Sequence, residues 1–154
     1  MARFRPLSVF AASAALVLAT QVAAAGEILD AKAADAKARA GEIVLIDIRT
    51  PEEWLQTGVP ASAHAITMHQ PAPAFLAQVD TALGGDKSKP LALICRTGNR
   101  SGSIAPQLER LGYKIIDVSE GMAGSRRGPG WLKHGLAVRT GGDVSKAPAF
   151  KLSQ

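Results

Sequence analysis

The segment KPLALICRTGNRS, residues 89 to 101, decides the fold, because an apolar run passes directly into a short polar loop and a helix pattern. Leu91 to Ile94 are continuously apolar, which is typical of a strand covered on both faces in a parallel sheet. Cys95, the only cysteine of the 154 residues, is the last residue before the loop. The following SGSIAPQLERLGY predicts a helix that ends at Gly112, and Pro106 is expected to delay its start or kink it.

The remaining sequence alternates between strand and helix patterns in the same way. Thr50 is predicted to cap a helix that begins at Pro51, and Glu53 completes a capping box. This alternation predicts the α/β class, a small open parallel sheet with helices on both faces. The expected further strands are 42–49, 64–68 and 113–118, the expected further helices are 28–41 and 72–83, and WLKHGLAV is expected to form a final turn or short helix.

The first 25 residues have the pattern of a secretory signal peptide. Arg3 and Arg5 precede a thirteen-residue run of small and apolar residues, and Ala23 and Ala25 form an A-x-A cleavage site. A membrane-spanning helix needs roughly 20 apolar residues, which is more than this run provides. We therefore predict cleavage after Ala25, export to the periplasm or out of the cell, and no membrane span in the mature chain.

A mature chain of 129 residues is long enough for one domain with a genuine core. We assign this domain to residues 26–140 and expect residues 141–154 to form a flexible tail. Without the signal, 16 of the 18 basic residues remain against 13 acidic ones, a net charge of +3. No basic run indicates nucleic-acid binding, whereas a mild positive charge favours small anionic substrates.

A lone cysteine in an exported chain excludes an internal disulfide and a two-cysteine redox mechanism. An intermolecular disulfide, a buried structural thiol and a nucleophile remain as interpretations of Cys95. Its position at the end of the strand favours the nucleophile, because loop N–H groups, the next helix N-terminus and the charges of Arg96 and Arg100 all stabilise a thiolate. Gly98 permits a backbone angle or a close approach that a side chain would block.

The length of the loop distinguishes between two anion-binding chemistries. Cysteine-based phosphatases place five residues between cysteine and arginine, whereas four separate Cys95 from Arg100. A shorter loop makes a tighter cup, which suits the outer sulfur of a persulfide better than a tetrahedral phosphate.

The sequence resembles a single-domain rhodanese over residues 28 to 138. The likeness rests on CRTGNRS after a buried strand, on LIDIRTPEEW before it, and on LERLGY followed by a strand and EGMAG. It implies sulfurtransferase activity without a cofactor, moving a sulfane sulfur from an anionic donor such as thiosulfate or a persulfide to a thiophilic acceptor such as cyanide or a thiol. Cys95 would be the nucleophile. The substrate-binding cradle would comprise Arg96, Thr97, Gly98, Asn99, Arg100 and Ser101, supported by Asp47 and Arg49.

The chain also departs from that family. The family's G-H-I-P-G-A is TGVPAS here, and its tryptophan after the late glycine-rich turn is Ser125, with Trp131 six residues later. No metal site is expected, because the spacing of the histidines to Cys95 is wrong for ligands. Arg126 and Arg127 are interpreted as a solvated loop rather than a substrate clamp. The competing hypotheses are a cysteine-based phosphatase or arsenate reductase, and a non-catalytic sulfur carrier or binding module whose protein acceptor is left open.

Overall fold

A computed structural model describes residues 26–144 of the chain. The predicted signal peptide at 1–25 and residues 145–154 of the expected tail lie outside the described residues. The strands are β1 Glu27–Leu29, β2 Val44–Asp47, β3 Val59–Pro60, β4 Ala63–Ala65, β5 Pro90–Ile94, β6 Lys114–Val118 and β7 Val138–Arg139. The helices are α1 Ala31–Arg39, α2 Pro51–Thr57, α3 Ala72–Leu83, α4 Asn99–Arg110 and α5 Gly130–Lys133, followed by a 3₁₀ turn at Gly141–Asp143.

Five strands form one sheet in the order β1-β6-β5-β2-β4, and every neighbouring pair in it is parallel. This arrangement confirms the α/β prediction with a parallel sheet. The strands β3 and β7 form a separate antiparallel pair that the sequence pattern did not indicate. No helix within residues 26–144 is both long enough and apolar enough to cross a membrane.

Side chains of the central strands alternate between two apolar clusters, one on each face of the sheet. Ala92 and Ile94 of β5 pack on the face that carries α1 and Trp131, whereas Leu91 and Leu93 pack on the face that carries α3 and α4. Because successive residues of a strand point to opposite faces, Cys95 continues the second set. The sheet therefore directs the Cys95 side chain beneath α4.

The helix predictions were confirmed in the middle of the chain and wrong at the N-terminal end. Thr50 accepts a hydrogen bond from the Glu53 N–H and the Glu53 side chain accepts one from the Thr50 N–H, the expected capping box. The helix 72–83 has the predicted bounds. The expected helix 28–41 is wrong at its start, because residues 27–29 pair with β6 and Asp30 caps the helix that follows.

Pro106 lies inside α4, so the expected late start of this helix is wrong. The buried residues Ser101, Ala105 and Leu108 follow the helical spacing and pack one stripe of α4 against the sheet. A proline removes one backbone hydrogen bond, and burial of this stripe outweighs that loss. The helix consequently begins at Asn99, within the CRTGNRS loop segment.

Candidate active site

The candidate site lies where β2 and β5 end side by side. From β2 the chain continues to β4 on one side, and β5 then pairs with the other side of β2. Such a reversal opens a crevice at the carboxyl edge of a parallel sheet, where ligands bind. The Ile48 N–H donates to the Ile94 carbonyl at 3.0 Å, which fixes the residues after β2 beside Cys95.

Cys95 is buried, with 1% of its surface exposed. It packs with the apolar cluster under α3 and α4, and its Sγ lies 3.5 Å from the Ser101 Oγ. The hydroxyl of Ser101 also donates to the Gly98 carbonyl at 3.2 Å. The first turn of α4 thus places one hydroxyl against the sulfur. The residues that surround Cys95 are more apolar than the sequence indicated.

In the loop from Cys95 to Arg100, carbonyl groups accept hydrogen bonds from the fold, whereas the N–H groups of residues 96 to 100 donate none in the described part of the chain. The Cys95 and Arg96 carbonyls accept hydrogen bonds from the Met122 and Ala123 N–H groups, both at 2.9 Å. Within residues 26–144, no acceptor pairs with the backbone N–H groups of residues 96 to 100. The expected set of unpaired donors at the start of a helix is therefore present in the loop.

Two glycines allow this loop to pack closely against the turn that follows β6. Gly98 has φ +80°, and a Cβ there would collide with the Ser119 carbonyl oxygen. Gly121 has φ +66°, and its Cβ would lie 2.6 Å from the Arg96 carbonyl oxygen. Because both positions combine a left-handed backbone with close contact to another backbone segment, a side chain at either one would push the loop and the turn apart.

The Arg100 side chain is bound to groups that the sequence did not connect to it. Its guanidinium donates two hydrogen bonds to the carboxylate of Glu53 in a bidentate arrangement, at 2.6 and 2.7 Å. It also lies 3.3 Å from Nε2 of His69. The hydrogen bond from Arg100 is the largest cause that lowers the pKa of Glu53 to about 2, and the same bond raises the pKa of Arg100. Arg100 is therefore a positively charged group held near Cys95, and its charge is paired with the carboxylate of Glu53.

Asp47 and Arg49 form a buried ion pair at the end of β2. Asp47 is fully buried and Arg49 is 2% exposed, and the shortest contact between them is 2.7 Å. Arg49 also donates to the Thr57 hydroxyl at 2.7 Å and to the Gly58 carbonyl at 2.6 Å. Burial raises the pKa of Asp47, and the hydrogen bonds and charge of Arg49 oppose that rise. The pair joins β2 to the end of α2, the helix that carries Glu53.

An open cleft of about 690 Å³ lies on the side of the loop that faces β6. Thr97, Gly98 and Asn99 line it from the loop, so three of the predicted substrate-binding residues share one surface. Arg96 lines a smaller pocket of about 120 Å³ on the other side, together with Arg49 and Glu53. The predicted cradle residues therefore border two separate pockets.

Sequence reasoning missed Glu53 and His69 as neighbours of the loop. Glu53 was interpreted only as a capping residue, and it performs that role while it also binds Arg100.

Trp131 is fully buried in the core, so it packs the domain rather than the site. His134 pairs with the buried Glu120 at 3.0 Å. Among residues 26–144, no three or more His, Cys, Asp or Glu side chains are grouped to hold a metal ion.

In a comparison with protein families, the model of the rhodanese-like domain matches residues 30–126. A protein of Bacillus subtilis (strain 168) named "Putative sulfurtransferase YtwF" is 32% identical over 81 residues, which cover 53% of this chain and 71% of that protein. An uncharacterized protein of Rickettsia rickettsii is 32% identical over 102 residues, with 60% of this chain and 79% of that protein covered.

Solved structures show the same fold. A rhodanese-like domain protein of Staphylococcus aureus aligns with a TM-score of 0.53 at 22% identity, covering 74% of this chain and 99% of that one. The protein Rv0390 of M. tuberculosis aligns with a TM-score of 0.53 at 28% identity, covering 76% and 98%. These alignments place the parallel sheet and its helices in a known architecture.

Proposed function

This chain belongs to the rhodanese-like domain family, and from that premise we propose that it is a thiosulfate sulfurtransferase-type enzyme that works through a persulfide on Cys95. The observation that carries the proposal is the loop itself. Four residues separate the cysteine from Arg100, the loop N–H groups are unpaired, and a hydroxyl lies 3.5 Å from the sulfur. Such a set of donors stabilises a negatively charged sulfur without a metal or an organic cofactor.

The proposed reaction has two balanced steps. The Cys95 thiolate attacks the outer sulfur of thiosulfate; a new S–S bond forms, the old one breaks, and sulfite leaves with its electron pair. An acceptor such as cyanide or a thiolate then attacks the outer sulfur of the Cys95 persulfide. The thiolate returns and the acceptor carries the sulfur away. With an organic persulfide as donor, the leaving group is the organic thiolate instead of sulfite.

The roles of the loop residues follow from their chemistry. Backbone N–H groups of Arg96, Thr97, Gly98 and Asn99 would donate to the outer sulfur, which bears the charge in the intermediate. Arg100 would add long-range positive charge, and Ser101 would donate to the sulfur of Cys95. Cys95 has 1% of its surface exposed, so a donor needs an approach to the sulfur that this conformation leaves nearly closed.

Two other functions would also depend on Cys95. A cysteine-based phosphatase or arsenate reductase would use the same thiolate, but the four-residue spacing disfavours a phosphate, and the chain has one cysteine. A sulfur carrier would form the same persulfide and release it to a partner protein. The relative named as a sulfurtransferase supports transfer of sulfur in either form.

The test combines mass spectrometry with turnover. After incubation with thiosulfate, Cys95 should gain the mass of one sulfur atom, and addition of cyanide should remove it and yield thiocyanate over many cycles. A Cys95→Ser variant should give neither signal while it keeps the circular-dichroism spectrum of the wild type. Hydrolysis of an aryl phosphate without sulfur uptake would overturn the proposal. Sulfur uptake followed by a single turnover would favour the carrier.

We also propose that the protein acts in the periplasm or outside the cell, on the basis of the signal pattern in residues 1–25. The measurement is the mass of the N-terminal peptide from the expressed full chain, together with its distribution between cell fractions. A mature N-terminus at Gly26 in the exported fraction is expected. An uncleaved chain confined to the cytosol would contradict the proposal.

A further inference from the structure

One carboxyl group beneath α4 has no part in the proposed sulfur-transfer steps. Asp117 lies in β6, and the parallel register pairs it with Leu93 of β5. Leu93 belongs to the apolar cluster on the α4 face of the sheet, and Cys95 follows it by two residues on the same face. Ile115, two residues before Asp117, belongs to this cluster as well. The sheet therefore directs the side chains of Asp117 and Cys95 toward the same helix.

The carboxyl of Asp117 is only partly satisfied. Its Oδ1 is buried and has no hydrogen-bond partner among residues 26–144. Its Oδ2 faces α4 at Gly102, where a Cβ would lie 3.7 Å away. Both residues also line the cleft of about 690 Å³. Folded proteins seldom leave a buried polar atom unpaired, so this carboxyl calls for an explanation.

Ser101 lies between the carboxyl and the sulfur. It is fully buried in the first turn of α4, and its Oγ lies 3.5 Å from Sγ of Cys95. Burial raises the pKa of Asp117, and the hydroxyl of Ser101 and the charge of Arg127 oppose that rise. In this structure the hydroxyl donates to the Gly98 carbonyl at 3.2 Å. A hydroxyl has a single proton to donate, so it cannot serve the sulfur and the carboxylate at once.

Two acids therefore compete for one donor. An aspartate carboxyl ordinarily ionises about four to five pH units below a cysteine thiol, so Asp117 carries its charge before Cys95 does. An ionised Asp117 attracts the Ser101 hydroxyl, because a hydrogen bond to a charged acceptor is the stronger one. It also repels a second negative charge on the nearby sulfur. Both effects disfavour the free thiolate.

The other charged groups around the site differ from Asp117 in their pairing. Arg127 acts on Asp117 from the turn after β6, and Arg100 acts on the sulfur from the start of α4. Asp47 and Glu53, on the β2 side of the site, are each bound to an arginine at 2.7 Å or less. Among the described residues, Asp117 has no such ion pair, so its charge is the less compensated one.

Sulfur loading changes which atom near Ser101 is charged. In the unloaded protein the negative charge lies on Sγ of Cys95, the atom that the Ser101 hydroxyl contacts. In the persulfide, Sγ is bonded to a second sulfur, and that outer atom carries the charge. The Ser101 hydroxyl is then free to donate to the carboxylate of Asp117.

We propose that Asp117, acting through Ser101, is a positioning residue that opposes the free Cys95 thiolate and favours the persulfide-loaded form of the site. The inference rests on the proposed function, since it assigns a role in the same sulfur transfer. Asp117 forms no bond to sulfur. In the loading step the Cys95 thiolate takes the outer sulfur of thiosulfate, and sulfite leaves with the electron pair of the broken bond, so charge is conserved without a proton from the carboxyl.

The first test measures the thiolate by alkylation with iodoacetamide as a function of pH, which needs no sulfur transfer. Asp117→Asn keeps the shape of the side chain and removes its charge, so the alkylation midpoint should move to lower pH by about one unit. In a Ser101→Ala background, the same substitution should produce less than half of that shift, because the shared hydroxyl is gone. The matched control is Glu109→Gln, which removes an exposed carboxyl from the last turn of the same helix and should leave the midpoint unchanged.

The second test measures the loading equilibrium by mass spectrometry of Cys95 in mixtures of thiosulfate and sulfite, at a pH above the alkylation midpoints of both proteins. At one fixed ratio of the two anions, the ratio of persulfide to unloaded cysteine should fall about threefold or more in Asp117→Asn, because the free thiolate is no longer opposed. Glu109→Gln should keep the wild-type ratio.

Three results would overturn the proposal: an unchanged alkylation midpoint in Asp117→Asn, an equal shift in the Ser101→Ala background, or an unchanged loading ratio. If thiosulfate loads neither the wild type nor Asp117→Asn, the proposed function fails. The alkylation profiles then still decide whether Asp117 opposes the thiolate through Ser101.

Discussion

Glu53 and Arg100 hold each other through two parallel contacts, Nη2 to Oε1 at 2.6 Å and Nη1 to Oε2 at 2.7 Å. The carboxylate belongs to α2, which follows β2, and the guanidinium belongs to the loop that follows β5. The pair therefore joins the two segments that border the candidate crevice. Its geometry is the one that gives arginine–carboxylate pairs their directional strength.

A first prediction concerns acid stability. The pKa of Glu53 is lowered from 4.5 to about 2, chiefly by the hydrogen bonds from Arg100. A lowered carboxyl pKa stabilises the fold fully above the unfolded value and loses this effect as pH falls toward the folded value. Between pH 4.5 and 2, the wild type should therefore lose more free energy of unfolding than Glu53→Gln. Because the pair is partly exposed, we expect the difference to be about 1 kcal/mol.

Urea unfolding at several pH values across this window measures the difference. The control is Glu109→Gln, an exposed carboxyl in the last turn of α4, which should keep the acid profile of the wild type. Parallel acid profiles for the wild type and Glu53→Gln would show that the contact with Arg100 contributes nothing to stability.

A second prediction concerns the buried pair at the end of β2. Replacing Arg49 with Met leaves the carboxylate of Asp47 without its partner in a site with no exposed surface. Breaking a buried ion pair on one side costs about 3–5 kcal/mol, because an uncompensated charge remains. Adding Asp47→Asn to Arg49→Met removes that charge, so the double variant should be more stable than Arg49→Met alone. Urea midpoints of the wild type, Arg49→Met and the double variant measure this, and a double variant no more stable than Arg49→Met would contradict it.

A third prediction separates backbone strain from collision at Gly98. Gly98 and Gly112 both have left-handed φ angles, +80° and +89°, but only a Cβ at Gly98 would meet another residue, at the Ser119 carbonyl. Gly112→Ala should cost the strain alone, about 1–2 kcal/mol. Gly98→Ala should cost about 1–3 kcal/mol more, because the loop must move away from Ser119. Chemical unfolding measures both variants, and equal losses would show that the collision with Ser119 adds nothing to the backbone strain at Gly98.

The parts of the fold that local pattern determines were predictable, and α3 is the clearest case. Its bounds, 72 to 83, follow from an apolar helix pattern that ends at two glycines, and Gly84 does adopt the left-handed C-cap. The strand β1 was missed because it has three residues and is stabilised only by pairing with β6, far along the chain. Pairing between distant segments leaves no local pattern in so short a strand.

In the candidate site, too, the features that a local pattern determines were predictable, and the contacts between distant residues were not. The position of Cys95 at the end of a buried strand and the glycine in its loop were visible as sequence signals. The partner of Arg100 was not, because Glu53 lies 47 positions away and already had a local explanation as a capping residue. The enclosure of Cys95 was also missed, since the alternation that turns it under α4 depends on the exact end of β5.

A final prediction isolates the hydroxyl nearest to the sulfur. Ser101 is fully buried, and its Oγ lies 3.5 Å from Sγ of Cys95 and 3.2 Å from the Gly98 carbonyl. When the sulfur is a thiol, the serine proton has the carbonyl as acceptor. When it is a thiolate, the same hydroxyl is placed to donate to the sulfur, and a hydrogen bond to a charged group is about twice as strong as a neutral one.

Ser101→Ala should therefore destabilise the thiolate more than it destabilises the fold. We expect alkylation of Cys95 by iodoacetamide near neutral pH, and persulfide formation from thiosulfate, each to slow about tenfold, with a loss of unfolding free energy of about 1 kcal/mol. Ser103→Ala, an exposed serine on the same helix, is the matched control and should leave both rates unchanged. If Ser101→Ala keeps the alkylation profile of the wild type, the hydroxyl serves only the Gly98 carbonyl, and the backbone N–H groups with Arg100 must stabilise the sulfur alone.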